Sequence, residues 1–72
     1  MIFHPGDTVE VCPDGTWVTG LVVERPVDWI LPAFAGRIAV RWYSARHDHT
    51  FTGGFLPYDA TRIRRKQGGE LA

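Results

Sequence analysis

The sequence predicts a small all-β domain built from five strands. Apolar and polar residues alternate in short runs, which is the period of a half-buried strand, and residues 8–11, Thr-Val-Glu-Val, show this most clearly. Turn residues separate the runs, as in Pro13-Asp14-Gly15, where proline presets φ, aspartate bonds its own backbone and glycine accepts a positive φ. Apolar residues at helical spacing are nearly absent, so no helix is predicted.

The second strand is predicted at residues 16–24. Its two faces are both largely apolar, with Trp17, Thr19, Leu21 and Val23 on one and Val18, Gly20 and Val22 on the other. This pattern predicts a long strand that is buried on both sides and kinked at Gly20. Alternatively, one of the two apolar faces meets another subunit.

Residues 25–35 are predicted to form one long loop between strands 2 and 3, because Pro26 and Pro32 interrupt regular pairing. The loop is nonetheless apolar, since it contains Val27, Trp29, Ile30, Leu31 and Phe34. Two interpretations follow: the loop folds back over an open end of the domain, or it docks on a partner. A loop of this length in a compact domain is usually functional when it is ordered.

The remaining strands are predicted in the second half of the chain. Strand 3 covers residues 36–43, where Ile38, Val40 and Trp42 share one face and Arg37, Ala39, Arg41 and Tyr43 share the other. Strand 4 covers residues 50–56 and is predicted to be broken or bulged at its glycine pair, Gly53-Gly54. A single 3-10 turn at residues 57–60 leads into a closing strand at residues 61–64, and residues 67–72 form a polar tail.

The size and composition of the chain place it in a single domain. A chain of 72 residues buries only about 60% of its unfolded surface, so it needs the dense core that its three Trp and four Phe can supply. The single Cys12 excludes an internal disulfide, which favours a reducing cytoplasm. No apolar run approaches the roughly 20 residues of a membrane helix, and no secretory signal is recognised, so no membrane partner is expected.

Several motifs together resemble a known family. They are Gly6-Asp7-x-Val9-Glu10-Val11, Asp14-Gly15-x-Trp17-x-x-Gly20-x-Val22, Val40-Arg41-Trp42, and Leu56-Pro57-x-Asp59-x-x-Arg62-Ile63-Arg64. Their order and spacing, over residues 5–65, resemble the SH3-like barrels of the Tudor and Agenet type. The resemblance implies a five-stranded barrel over residues 1–66. The seven-to-one excess of Arg over Lys favours a small bacterial or phage protein.

Tudor domains that read methylated side chains use a cage of aromatic rings, which attract cations. Trp42 stands where the resemblance implies one cage residue. Val18 replaces a tyrosine that is frequent in cage-bearing members, and the segment Ser44-Ala45-Arg46 replaces Tyr-Gly-Asn. The resemblance therefore implies an incomplete cage, in which Trp17 and Trp42 are packing or rim residues.

The chain also resembles the plasmid-borne, trimethoprim-insensitive dihydrofolate reductases, which are small SH3-like barrels that assemble as tetramers around a pore. The Gly-Asp-x-Val start, the Trp17 strand and the Arg-Ile close are shared. The catalytic segment Val-Gln-Ile-Tyr of that family corresponds here to Gly53-Gly54-Phe55-Leu56, and Glu10 replaces a basic residue. A reductase is thus only a distant alternative, and no enzymatic activity is predicted.

The charges are distributed unevenly along the chain. Residues 1–36 carry one cation and five acids, a balance of −4, whereas residues 37–72 carry seven cations and three acids, a balance of +4. This asymmetry is compatible with a nucleic-acid face. It is equally compatible with pairing of the two halves in a small fold, in which the arginines meet Asp7, Glu10 or Asp59.

The favoured function is a non-catalytic binding module for a protein partner or for self-association. Its candidate residues are the apolar loop and the aromatic rim: Trp17, Trp29, Ile30, Leu31, Phe34, Trp42, Tyr43 and Tyr58. The alternative is binding of DNA or RNA, with guanidinium groups on phosphates and rings stacked on bases, through Arg41, Arg46, Arg62, Arg64 and Arg65. His47 and His49 lack a predicted third ligand, so neither a metal nor a cofactor is expected.

Overall fold

Five antiparallel strands form one sheet in the computed structural model, which describes residues 3–30 and 32–66. The elements are β1 (Thr8–Val11), β2 (Val18–Val23), a 3-10 helix (Pro32–Phe34), β3 (Ile38–Ser44), β4 (His49–Phe55) and β5 (Ile63–Arg65). The described residues contain no α-helix. The predicted all-β class and the five strands are therefore confirmed. The predicted tail at residues 67–72 lies outside the described residues.

The strands follow the order β4-β3-β2-β1-β5 in the sheet. The first four strands form a meander, and the chain then returns to pair β5 with β1. No pairing between β4 and β5 closes the sheet within the described residues. The established architecture is therefore an open five-stranded antiparallel sheet whose edge strands are β4 and β5.

One face of the sheet, the inner face, carries the core. Cross-strand partners point to the same side of a sheet, and the register pairs Val11 with Ile63 and Val22 with Val40. These side chains join Phe3, Val9 and Phe55 in a single buried cluster. The edge strands β4 and β5 both contribute to this cluster, through Phe55 and Ile63, so the two ends of the sheet share one core.

The opposite face, the outer face, is only partly covered. Leu21 lies on it, across from Thr8 and Arg41, and is 42% exposed. The prediction that the second strand is buried on both sides is therefore wrong. The Trp29 ring of the 25–35 loop packs over Gly54 of β4, and Leu21 on β2 stays partly exposed. The register also runs through Gly20 without interruption.

The third and fifth strands begin later than the pattern predicted. Gly36 has a φ of 73°, and the amide of Arg37 donates to the carbonyl of Phe34, so the loop extends to residue 37. The carbonyl of Asp59 accepts from the amides of Arg62 and Ile63. This turn delays β5 to residue 63, and Arg62 precedes the strand instead of lying within it.

The glycine pair in β4 does not form the predicted break or bulge. The pairing of β3 with β4 is continuous from Ile38 opposite Phe55 to Ser44 opposite His49. The glycines instead leave room for two tryptophan rings. A Cβ on Gly53 would lie 2.9 Å from Cη2 of Trp42, and one on Gly54 would lie 3.2 Å from Cζ3 of Trp29.

We expect Gly53→Ala to lower the free energy of unfolding by roughly 1–3 kcal/mol, the usual cost of overpacking. The added methyl group would meet the Trp42 ring, which also contacts Phe51 and Phe55. Urea denaturation measures the effect. The exposed neighbour Thr52→Ala is the control and should change stability by less than about 0.5 kcal/mol.

The opposite sign would contradict this account of β4. Alanine is favoured over glycine in a strand interior by roughly 0.5–1 kcal/mol when space is available. A stabilised Gly53→Ala variant would therefore show that the position of the Trp42 ring does not require the absence of a side chain at residue 53.

Candidate functional site

The 25–35 loop is fixed to the outer face of the sheet by two aromatic rings. Trp29 and Phe34 stack with centroids 4.5 Å apart and an interplanar angle of 12°. The Trp29 ring lies over Gly54 of β4. Ala39, which pairs with Gly54, is completely buried on the outer face. The stacked pair is therefore packed on the sheet and is only half exposed.

Hydrogen bonds tie the loop together from within. The Arg25 guanidinium donates to the carbonyl of Phe34 at 3.0 Å and to the carbonyl of Trp29 at 3.4 Å. At the other end, the Arg37 guanidinium donates to the carbonyl of Gly54 at 3.3 Å. One arginine thus joins the two ring-bearing parts of the loop, and a second joins the end of the loop to β4.

Two aliphatic side chains of the same loop point into solvent. Val27 is 96% exposed and Ile30 is 83% exposed, although the backbone on either side is hydrogen-bonded, for example from the amide of Trp29 to the carbonyl of Pro26. The rings of the loop therefore fold back on the sheet and its aliphatic tip does not, and docking on a partner stays a prediction. Leu31, also a predicted site residue, lies outside the described residues.

The sequence pattern did not distinguish Val27 from its apolar neighbours. Apolarity alone does not tell a packed ring from an exposed aliphatic side chain. The available signal is the position of Val27 directly after Pro26, in a turn. Trp29 and Phe34, also predicted as contact residues, stack on each other and are only half exposed.

A second aromatic cluster lies at the β3–β4 hairpin. The Trp42 ring contacts those of Phe51 and Phe55, with centroids 5.8 Å apart in both pairs. His49 and His47 meet the Phe51 ring edge-on at 4.9 and 5.8 Å. A shallow pocket of about 210 Å³ opens here, between this cluster and the loop that contains Pro13 and Asp14.

The other predicted aromatic residues lie elsewhere. Trp17 lies beneath Arg64, whose Cζ is 3.9 Å from the ring centroid. Tyr43 is 55% exposed on the outer face, and Tyr58 is 76% exposed in the turn before β5. Among the described residues, no ring contact joins these three to the Trp29 pair or to the Trp42 cluster. The predicted aromatic residues therefore do not form one surface.

The predicted arginines are dispersed, and two of them pair with acids. Arg64 Nε lies 2.8 Å from Glu10 Oε1, and Arg65 Nη1 lies 3.7 Å from Asp7 Oδ2. Because β5 pairs with β1, the basic end of the chain meets its acidic start. The uneven charge distribution along the sequence is thus partly neutralised in the fold.

Arg62 lies in a different environment, beside Asp59. Both residues line a small cavity of about 230 Å³ with Arg37. The pKa of Asp59 is lowered, chiefly because the Thr61 hydroxyl donates to its carboxylate, with smaller contributions from the charges of Arg62 and Arg37. This carboxylate closes the turn before β5, since the amide of Thr61 also donates to it at 3.2 Å.

Arg41 occupies the centre of the outer face. A groove of about 340 Å³ runs beside it, lined by Thr8, Thr19, Leu21, Tyr43 and Thr50. No hydrogen bond or ion pair joins the Arg41 guanidinium to the described part of the chain. Tyr43 donates to the Asp48 carboxylate, and this bond raises the pKa of Tyr43. Arg46 lies in the turn between β3 and β4, outside the groove.

A scan against protein-family models and searches of curated proteins and solved structures find no match to this chain. The candidate site is therefore described from the geometry of this chain alone.

Among residues 3–30 and 32–66, no three His, Cys, Asp or Glu side chains are grouped so that they could hold a metal ion. His47 and His49 both contact the ring of Phe51. The described part of the chain also contains no helix with the length and apolarity needed to cross a membrane.

Proposed function

We propose that this protein is a non-catalytic binding module that engages a protein partner through Val27 and Ile30 of the 25–35 loop. One observation carries the proposal: two almost fully exposed aliphatic side chains stand on a loop whose backbone and rings are fixed to the sheet. Contiguous exposed apolar surface marks a contact site, whereas apolar side chains that are scattered singly need no explanation. Val27 and Ile30 lie three positions apart on the same loop.

The energetics favour contact through these two residues. Complete burial of a valine or isoleucine side chain contributes about 1.5–3 kcal/mol. The loop is already ordered by the Trp29–Phe34 stack and by Arg25, so little further conformational entropy is lost on binding. These two contributions together suit a modest, specific interaction with an apolar pocket on another protein.

We also propose that the sheet is an SH3-like barrel of the Tudor type. The support is the strand order, with a four-stranded meander and β5 returning beside β1. The shared core of Phe55 and Ile63 brings the two edge strands toward each other. The loop between β2 and β3 is then the long insertion that carries the contact residues.

The double variant Val27→Ser, Ile30→Ser tests the proposed contact. We expect it to fold with unchanged stability, because both side chains are exposed, and to lose at least about 90% of partner binding, a loss of roughly 1.4 kcal/mol or more. Quantitative affinity capture from cells of the source organism, compared between wild type and variant, identifies proteins that depend on the two residues. Their binding to purified protein is then measured by calorimetry.

Leu21→Ser is the matched control, since Leu21 is a partly exposed aliphatic residue at a different place on the sheet. A partner retained by this control and lost by the double variant supports the proposal. Partners that bind wild type and double variant equally would refute the assignment to Val27 and Ile30.

Nucleic-acid binding remains a second candidate because of Arg41. Its guanidinium lies free of described partners in an exposed groove that also contains Tyr43 and three threonines. Phosphates accept from arginine, and an aromatic ring can stack on a base. The candidate is second because Arg64 and Arg65 face carboxylates that would repel a phosphate backbone.

If the groove binds single-stranded RNA or DNA, Arg41→Ser should weaken binding at all sequences. The plot of log affinity against log salt should become less steep by about one unit. Fluorescence anisotropy with labelled oligonucleotides at several salt concentrations measures both effects. Arg46→Ser, outside the groove, should have the smaller effect; equal losses for the two variants would contradict a site centred on Arg41.

A further inference from the structure

The edge of the sheet formed by β4 has the properties of a pairing surface. The strand has seven residues, and its first four, from His49 to Thr52, are all exposed. Its only strand neighbour in the described chain is β3. An edge strand carries a row of unpaired N–H and C=O groups that can accept another strand.

Most of the usual protections of an edge strand are missing from β4, where a guanidinium, that of Arg37, donates to the carbonyl of Gly54 near the end of the strand. Such edges are generally short, charged, proline-containing or bulged. Residues 50–55 contain neither a charged residue nor a proline, and the pairing with β3 shows no bulge. The other edge, β5, has only three residues, and two of them are Arg64 and Arg65. Of the two edge strands, only β5 is therefore protected by short length and by charge.

The composition of β4 makes it complementary to itself. In an antiparallel pairing of two copies centred on Thr52, each Phe51 stands opposite Gly53 and each Thr50 stands opposite Gly54. Phe51 and Thr50 of one copy thus stand beside the Trp42 and Trp29 rings that pack over the glycines of the other. The two central threonines meet each other, which is a favourable cross-strand pair. No charged side chain of residues 50–55 opposes a like charge.

We propose that the protein forms a two-fold dimer in which the β4 strands of two copies pair antiparallel around Thr52. The ring of Phe51 is 38% exposed in the single chain and becomes covered by the partner strand. The two sheets then continue as one. This pairing uses the backbone edge of β4 and does not depend on Val27 and Ile30, so it stands apart from the proposed contact with another protein.

Opposite charges at Thr52 test the dimer. Thr52 is exposed, so Thr52→Lys and Thr52→Glu should both fold, and each should weaken self-association roughly tenfold or more through like-charge repulsion at the two-fold axis. An equimolar mixture of the two variants should dimerise at least as well as wild type. Sedimentation equilibrium over a concentration series gives the dissociation constants. Thr8→Lys, at an exposed position on the interior strand β1, should have no such effect.

A wild-type chain that stays monomeric at about 1 mM, where association would contribute only roughly 4 kcal/mol, would overturn the proposal. So would a Thr52→Lys variant that dimerises normally, or a mixture of the two variants that fails to associate. Amide hydrogen exchange provides a readout without substitutions: protection in residues 49–55 should rise with wild-type concentration, and concentration-independent exchange would refute pairing at this edge. The Val27→Ser, Ile30→Ser variant should dimerise like wild type, which separates this dimer from the loop contact.

Discussion

The structure depends on the close approach of two tryptophan rings to one glycine pair. The Trp42 ring packs on the inner face of β4 at Gly53, and the Trp29 ring packs on the outer face at Gly54. A Cβ at residue 53 would overlap the Trp42 ring, and one at residue 54 would press on Cδ of Arg37 at 3.1 Å and on the Trp29 ring at 3.2 Å. Because successive residues of a strand face opposite sides, two adjacent glycines admit one ring on each face of the same edge strand.

This arrangement couples the core to the 25–35 loop. A domain of 72 residues has a small core. Here one strand, β4, contacts both the aromatic end of that core and the stacked pair Trp29–Phe34. With the rings fixed, the loop tip has a defined position, and Val27 and Ile30 remain exposed. The same glycines stand opposite Phe51 and Thr50 in the antiparallel pairing proposed for the free edge of β4.

The local sequence pattern is sufficient to predict the strands. It is insufficient to predict the contacts between segments that lie far apart in the chain. Alternation located Thr8–Val11 and assigned Ile38, Val40 and Trp42 to one face, as the register shows. A glycine pair in a strand predicts a bulge from the sequence, because a bulge and a close ring contact have the same local signature. The deciding residue, Trp29, lies 25 positions earlier in the chain. The pairing of Arg64 with Glu10, 54 residues apart, likewise depends on topology.

The most direct test of this account is the heteronuclear NOE of the loop amides in Gly54→Val. Valine suits a strand, so β4 should persist, but its side chain would displace the Trp29 ring. We expect NOE values in residues 26–30 to fall well below those of the strands, and the proposed binding through Val27 and Ile30 to weaken. Thr52→Val, two residues away on the same face, should leave them unchanged. A rigid loop in Gly54→Val, with Trp29 shifts like those of wild type, would contradict the claim that this glycine positions the contact loop.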